Sequence, residues 1–318
     1  MMEGKQNDKK TSNSPRRDID STSPRVIDYE GSDYQTSFWE QGGRDYEDKV
    51  EEVALQRLLP EKGGLLLELG AGAGRNTSRY INFDRIVLLD YSFTQLKAAQ
   101  NRLGLGSRYI YVAADVYQLP FVSALFDFAT MIRTIHHLVD PDRALGQVHR
   151  VLAEKAGFIL EYANKQNLKA IFRYLAGRQS WSPFTMDPVE FVELNFNFHP
   201  KAIRKWLQEN QFQIERQLTV SHFRINTLKR LLPQILLVRM DSWAQLTGDL
   251  WQLSPSVFVK SIATGTADPP QPGAFFLCPA CGHEPLEDTP TYCLCSHCGQ
   301  RWPIKDGIYD FRIQSSGG

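Results

Sequence analysis

The chain has no cysteine before Cys278, and all five of its cysteines fall between Cys278 and Cys298. That excludes a disulfide framework for the main body, and in a chain without an export signal such clustering points to metal ligation. An excess of charge is missing too: 36 basic and 36 acidic side chains leave a formal net charge of zero over 318 residues. DNA is therefore not an expected partner, although a neutral total still leaves room for local basic patches. Long hydrophobic runs are also lacking, and the best candidate, 235–238, falls far short of the roughly 18 to 20 residues that a bilayer span needs. Residues 1 to about 26 are rich in Lys, Ser, Asp, Pro and Arg, with no apolar run of the signal-peptide kind. The expectation is a disordered tail over 1–30 and a cytoplasmic protein without a membrane span.

What the chain does have is a regular alternation of strand and helix patterns. Val50, Val53, Leu55, Leu58 and Leu59 form a helical stripe closed by Pro60. Apolar strands are expected at 65–69, 85–90, 108–113, 126–132 and 157–162. Helices are expected at 74–80, at 92–103 with Ser92 as N-cap, and from Asp140-Pro141-Asp142 to about 152. Near-continuous apolar strands separated by amphipathic helices imply a parallel sheet covered on both faces. Patterns at 200–209 (helix), 212–220 and 255–263 (strands) suit closing antiparallel strands, with a helical insertion at about 223–253. The Pro-rich stretch 264–274 reads as a linker.

The most informative segment is Leu65-Leu66-Leu67-Glu68-Leu69-Gly70-Ala71-Gly72-Ala73-Gly74-Arg75. Alternating glycines after a strand let the backbone turn sharply and approach a ligand closely. A dinucleotide fingerprint starting at Gly70 would need its third glycine where Arg75 stands, so that version fails. Glu68 also suits a cationic ligand better than a pyrophosphate. The pattern acidic-x-Gly-x-Gly-x-Gly closely resembles that of class I S-adenosylmethionine (SAM) dependent methyltransferases. The stretch Phe126-Asp127-Phe128-Ala129 to Leu138, with Asp140-Pro141-Asp142-Arg143-Ala144-Leu145 and Arg150-Val151-Leu152, resembles the type 11 branch.

The resemblance implies a Rossmann-like, seven-stranded, mostly parallel α/β sheet with helices on both faces, occupying 31–263. It also implies SAM as cofactor and a site built from Glu68, Gly70, Ala71, Gly72 and Gly74. Asp90, at the end of the second strand, would accept the ribose hydroxyls or else cap the next helix. Asp115 and Val116 would meet the adenine amino group and ring, Asp115 alternatively being an ordinary turn residue. Tyr91 would pack on the adenine face or simply on the core. Arg133 would line the methionine end. Arg44, in an aromatic segment with Phe38, Trp39, Gly42, Gly43 and Tyr46 that suits a lid, would pair with the cofactor carboxylate or stay solvated. No catalytic residue is identified. His136 and His137 are candidates for a base, but a structural role suits them better, and in-line displacement at a sulfonium does not require one.

Cys278-Pro279-Ala280-Cys281 and Cys295-Ser296-His297-Cys298 have the spacing of a tetrahedral structural zinc ribbon over 275–318. Cys293 is left over as a free thiol, the alternative being a mixed ligand set that uses Cys293, His283 or His297. Trp302-Pro303-Ile304-Lys305-Asp306-Gly307-Ile308 reads as a hairpin. Knuckles and hairpin together resemble the small zinc-binding activator subunit of tRNA, rRNA and release-factor methyltransferases. That resemblance implies a fused module docking intramolecularly on the catalytic domain; the alternative is a generic ribbon.

The methyl acceptor is not legible, and a small molecule, a lipid or RNA all remain open. Basic residues outnumber acidic ones between Lys165 and Asp241, Lys201, Arg204 and Arg239 among them, as a phosphate grip or a solvated face. The alternative function is a non-catalytic scaffold that binds SAM, RNA or protein.

Overall fold

The computed structural model describes residues 44–313. The expected tail, and the lid residues Phe38, Trp39, Gly42 and Gly43, lie outside the described residues. Short apolar runs form β1 (Gly63–Leu69), β2 (Phe83–Asp90), β3 (Tyr109–Ala113), β4 (Phe126–Met131) and β5 (Leu152–Ala163). Helix α1 (Asp45–Leu58) precedes them, α2 (Phe93–Leu103) joins β2 to β3, and α3 (Pro141–Val151) joins β4 to β5. Ser92 Oγ accepts from Gln95 N and Asp140 Oδ1 accepts from Arg143 N, so both helices start on side-chain caps. Next come α4 (Leu168–Leu175) and a separate hairpin of β6 (Val189–Val192) and β7 (Asn195–Asn197). After these stand α5 (Pro200–Glu209), β8 (Phe212–Val220), α6 (Asn226–Leu231), α7 (Gln234–Gln245) and β9 (Ser256–Ala263). The C-terminal part contributes β10 (Glu287–Asp288), β11 (Tyr292–Leu294), β12 (Arg301–Lys305) and β13 (Ile308–Asp310).

Strands β3-β2-β1-β4-β5 are parallel neighbours, β9 runs antiparallel beside β5, and β8 runs antiparallel beside β9. The sheet does not stop at the seven strands expected. β13 adds in parallel to β3, and β12, β11 and β10 continue from it, giving eleven strands in one sheet. The partners Ile308↔Tyr111, Tyr309↔Val112 and Asp310↔Ala113 satisfy the backbone groups that would leave β3 an open edge. The turn that feeds β13, Asp306-Gly307, has positive φ at both positions (51° and 75°), as a tight two-residue hairpin requires.

Side-chain alternation divides the core between the two faces. Leu67, Leu69, Val87, Leu89 and Val112 pack with α3 and α5 on one side. Leu66, Ile86, Leu88 and Tyr111 pack with α1, α2 and α7 on the other.

The helix expected at 74–80 is absent; a single 3-10 turn, Thr77–Arg79, stands there. The cause is tethering. Arg75 and Arg79 reach Asp48 and Glu51 on α1, Thr77 Oγ1 donates to Glu68, and β2 already starts at Phe83. The insertion is helical as expected, and α7 is tied to α1 through a buried acid. Asp241 Oδ2 accepts from Tyr46 Oη at 2.7 Å and from His222 N at 2.7 Å.

Candidate active site and metal centre

The carboxyl ends of β1, β2 and β4 open into a cleft lined by Glu68, Gly70, Ala71, Gly72, Asp90 and Tyr91, and further by Arg75, Gln95, Val116, Arg133 and His137. The glycines differ in what they do. A Cβ on Gly70, at φ +66°, would lie 2.1 Å from Thr134 Oγ1, so Gly70→Ala is expected to cost about 2 kcal/mol or more in urea unfolding. At Gly72 the nearest neighbour of a Cβ is Gln95 Oε1 at 4.0 Å, which leaves open space at the loop's tip. Gly74, at φ +71°, packs toward Leu103 and Ala99 and does not line the cleft.

Asp90 both caps and faces the cleft. Its Oδ2 accepts from Gly72 N at 2.8 Å and its Oδ1 from Ser92 N at 2.9 Å, which fixes the carboxylate across the mouth of the loop. Glu68 is buried and accepts from Thr77 Oγ1 at 2.5 Å; burial pushes its carboxyl up to about 7. A raised acid stabilises the fold below its unfolded value of 4.5, and that stability is lost as pH rises through the folded value near 7. Glu68→Gln is therefore expected to remove a decline in stability, on the order of 3 kcal/mol, between those two pH values in urea titrations.

Sequence reasoning missed the residue that organises the cationic side. Glu51 is fully buried on α1 and accepts from Arg75 Nη2 at 2.8 Å and Arg133 Nε at 2.8 Å. Burial alone would raise its pKa, but Arg133 and Arg75 outweigh burial and hold it at about 2. Arg133 has φ +56°, and its N–H donates to the buried Glu161 at 3.0 Å. A signal was present: an acid among the buried Val50, Ala54 and Leu55 demands a cation, and Arg75 directly follows the glycine loop.

Other expected site residues fall elsewhere. Asp115 Oδ1 accepts from Tyr117 N at 2.9 Å, and while Ala114 and Val116 line the cleft, Asp115 does not. Arg44 stands at the N-cap of α1, away from the lining. His136 is buried, lies off the cleft, and burial pushes its pKa well down. His137 lines the cleft. Its Nδ1 lies 3.0 Å from Leu194 O, so this nitrogen carries the proton and Nε2 is the acceptor in the neutral ring.

Residues 67–160 match the protein family described as a methyltransferase domain. The match covers 94 of the 318 residues. Among curated relatives, the chain is 35% identical over 92 residues to a demethylmenaquinone methyltransferase of Thermobifida fusca, covering 28% of this chain and 39% of that protein. It is 28% identical over 144 residues to the O-methyltransferase cnsE of Penicillium expansum, covering 42% and 52%. The chain thus spans about two fifths to one half of the length of these relatives. Among solved structures, it is similar to a chain from the complex between the Haloferax volcanii Trm112 methyltransferase activator and a methyltransferase. That similarity has a TM-score of 0.51 at 13% identity, covers 73% of this chain and 96% of that one, and speaks to the fold alone.

Beyond the matched segment, Cys278, Cys281, Cys295 and Cys298 bring their sulfurs within 4.8 Å of one another. The pairs Cys278–Cys298 and Cys281–Cys295 are 3.8 and 3.5 Å apart, far beyond a disulfide. They are close to the roughly 3.8 Å edge of a tetrahedron with metal–sulfur bonds of about 2.3 Å, so the donor set fits zinc. Each knuckle closes on a glycine with positive φ, Gly282 and Gly299, whose N–H donates back to the first cysteine's carbonyl. Cys293 is buried apart from the four, and its thiol is pushed up to about 12 by burial and by Asp288, which keeps it protonated.

The four-cysteine module contacts the matched segment through an aromatic seam. Phe276 stacks with Phe121 at 5.9 Å and meets Phe311 at 4.9 Å. Phe311 N donates to Ala113 O at 2.8 Å, and Arg312 Nη1 reaches Tyr91 O at 3.4 Å. The module therefore touches two strand ends that form the cleft.

Proposed function

We propose that the chain is a SAM-dependent methyltransferase acting on a small organic acceptor, and that its four clustered cysteines hold a structural zinc ion. The observation that carries this reading is the convergence, in one cleft, of a buried acid ending β1, an open glycine tip and an acid ending β2. SAM would supply an electrophilic methyl group on a sulfonium. Asp90, pre-oriented by two backbone N–H groups, is placed to accept ribose hydroxyls, since a carboxylate offers about four lone-pair sites. Glu68 complements an ammonium group. Arg75 and Arg133, set by Glu51, complement an amino-acid carboxylate. Tyr91 and Val116 border the space for adenine, whose amino group would meet Asp115 once its side chain turns from Tyr117.

Alignment of acceptor and methyl supplies much of the rate without a base. If a proton must leave, His137 is better placed than His136, because it lines the cleft with Nδ1 anchored on Leu194 O. A small acceptor is supported by the relatives, a quinone-precursor methyltransferase and an O-methyltransferase by name. The C-terminal module acts as a built-in stabilising partner. Its support is the β13–β3 pairing and the contacts of Phe311 and Arg312 with the cleft strands.

Incubation with methyl-labelled SAM and fractionated cell extract tests the reading. Label is expected in the organic phase. Label in RNA or protein would refute the small acceptor, and no transfer to any fraction would refute the enzyme.

A further inference from the structure

Most of the large apolar side chains left exposed among the described residues fall in two stretches, 168–192 and 225–251. On α4 they form a stripe. Leu168, Phe172 and Leu175 recur at the i, i+4, i+7 spacing of one helix face, Phe172 and Leu175 are 66% and 70% exposed, and Ala170 is the helix's buried residue. The hairpin adds Phe191 and Val192, and the insertion adds Trp243, 78% exposed, and Trp251. The two stretches meet: Leu168 N donates to Leu253 O at 2.9 Å and Asn164 Nδ2 to Gln252 O at 2.9 Å.

Cations accompany α4 and the insertion, whereas the hairpin and the loop before it carry the exposed acids Asp187, Glu190 and Glu193. Lys169 and Arg173 alternate with the stripe on α4, Arg178 follows, and no acid stands between 168 and 178. Helices α6 and α7 carry Arg230 and Arg239; Lys229 is already paired with Glu47 on α1 at 2.7 Å, and the single acid of the two helices, Asp241, is buried and turned to Tyr46. An exposed apolar stripe flanked by Lys and Arg is the composition of a segment lying in a membrane interface, its apolar face among acyl chains and its cations on anionic headgroups. Setting α4 against its own copy across a two-fold axis would oppose Lys169 and Arg173 to themselves, so charge favours lipid over self-association on this helix.

We propose that α4 and the α6–α7 insertion dock on the surface of an anionic lipid bilayer without crossing it, the acidic hairpin standing clear of the headgroups. No helix among the described residues is long and apolar enough to cross a membrane. The segment after α4 leads from this face to the cleft: Tyr174 meets Phe184, Trp181 meets Phe191 in the hairpin, and Leu194 O between β6 and β7 accepts from His137 Nδ1. Resting on the methyltransferase reading above, this placement admits an apolar, membrane-resident acceptor to the cleft from the bilayer.

Co-sedimentation of the full-length protein with vesicles tests this, using equal parts phosphatidylglycerol and phosphatidylcholine against phosphatidylcholine alone. Partition is expected to be at least about tenfold stronger on the anionic vesicles and to weaken in about 0.5 M salt. Phe172→Glu with Leu175→Glu should lower partition at least about tenfold, and Lys169→Glu with Arg173→Glu should abolish the preference for anionic lipid. Neither pair lines the cleft, so S-adenosylhomocysteine binding by the same samples should stay unchanged; its absence in the parent protein would refute the methyltransferase reading and leave the docking result standing. No sedimentation with anionic vesicles would overturn the proposal. So would sedimentation indifferent to both variants, or a concentration-dependent dimer that the variants break without any vesicle binding.

Discussion

Replacing Asp90 by alanine is expected to weaken S-adenosylhomocysteine binding by about a hundredfold, the equivalent of about 3 kcal/mol. Two effects combine. The carboxylate would lose its contacts to a nucleoside, each charge-assisted hydrogen bond being worth roughly 1.5 to 3 kcal/mol. The glycine tip would also lose its strut, because Gly72 N now donates to Asp90 Oδ2 and Ser92 N to Oδ1. Isothermal titration of Asp90→Ala and Asp90→Asn separates the two, since asparagine keeps an acceptor oxygen for the loop but not the charge. The alanine variant should be the weaker binder, with its melting temperature lowered only slightly. An unchanged affinity would remove Asp90 from the site.

The second large effect concerns the cysteine cluster. Cys295→Ser, or a strong chelator, is expected to unfold the C-terminal module, because a structural zinc site in a small module supplies on the order of 10 kcal/mol of folding free energy. The module cannot be lost silently. β13 covers the edge of β3, Phe276 and Phe311 fill an aromatic seam with Phe121, and Phe311 and Arg312 bond the strand ends at Ala113 and Tyr91. Uncovering β3 leaves a paired edge unpaired beside exposed aromatics. The expected result is one mole of zinc per chain by metal analysis, and on its removal an early thermal transition, a fall of at least about tenfold in cofactor affinity, and aggregation. A chelated protein that melts and binds as before would show that the module is an independent appendage.

The parts of this molecule legible in its sequence are those encoded locally. Strands β1 to β5 announce themselves as apolar runs, Ser92 and Asp140 as caps, and the four cysteines by knuckle spacing, because each depends on neighbours a few residues away. Asp90 was legible for the same reason, as a carboxylate at a strand end. What was not legible depends on pairing between distant segments. The helix expected after the glycine loop gives way to a 3-10 turn because Arg75 and Arg79 are drawn to acids on α1. Glu51 has a local signal in the apolar residues around it, but its partners Arg75 and Arg133 lie far along the chain. The addition of β13 to β3 joins residues nearly two hundred positions apart, and nothing in the pattern of either strand names the other. Asp115 is a local case: the turn residue left as its alternative is where its carboxylate stands, held by Tyr117 N two residues on and not lining the cleft.

The account's central claim is that the cleft between Glu68, Gly72 and Asp90 is a SAM site. Its most direct measurement is isothermal titration of the purified full-length protein with S-adenosylhomocysteine, followed by displacement with SAM and, separately, with NAD. The account predicts one site per chain, displaced by SAM and indifferent to NAD. The absence of binding, or displacement by NAD as effective as by SAM, would contradict it.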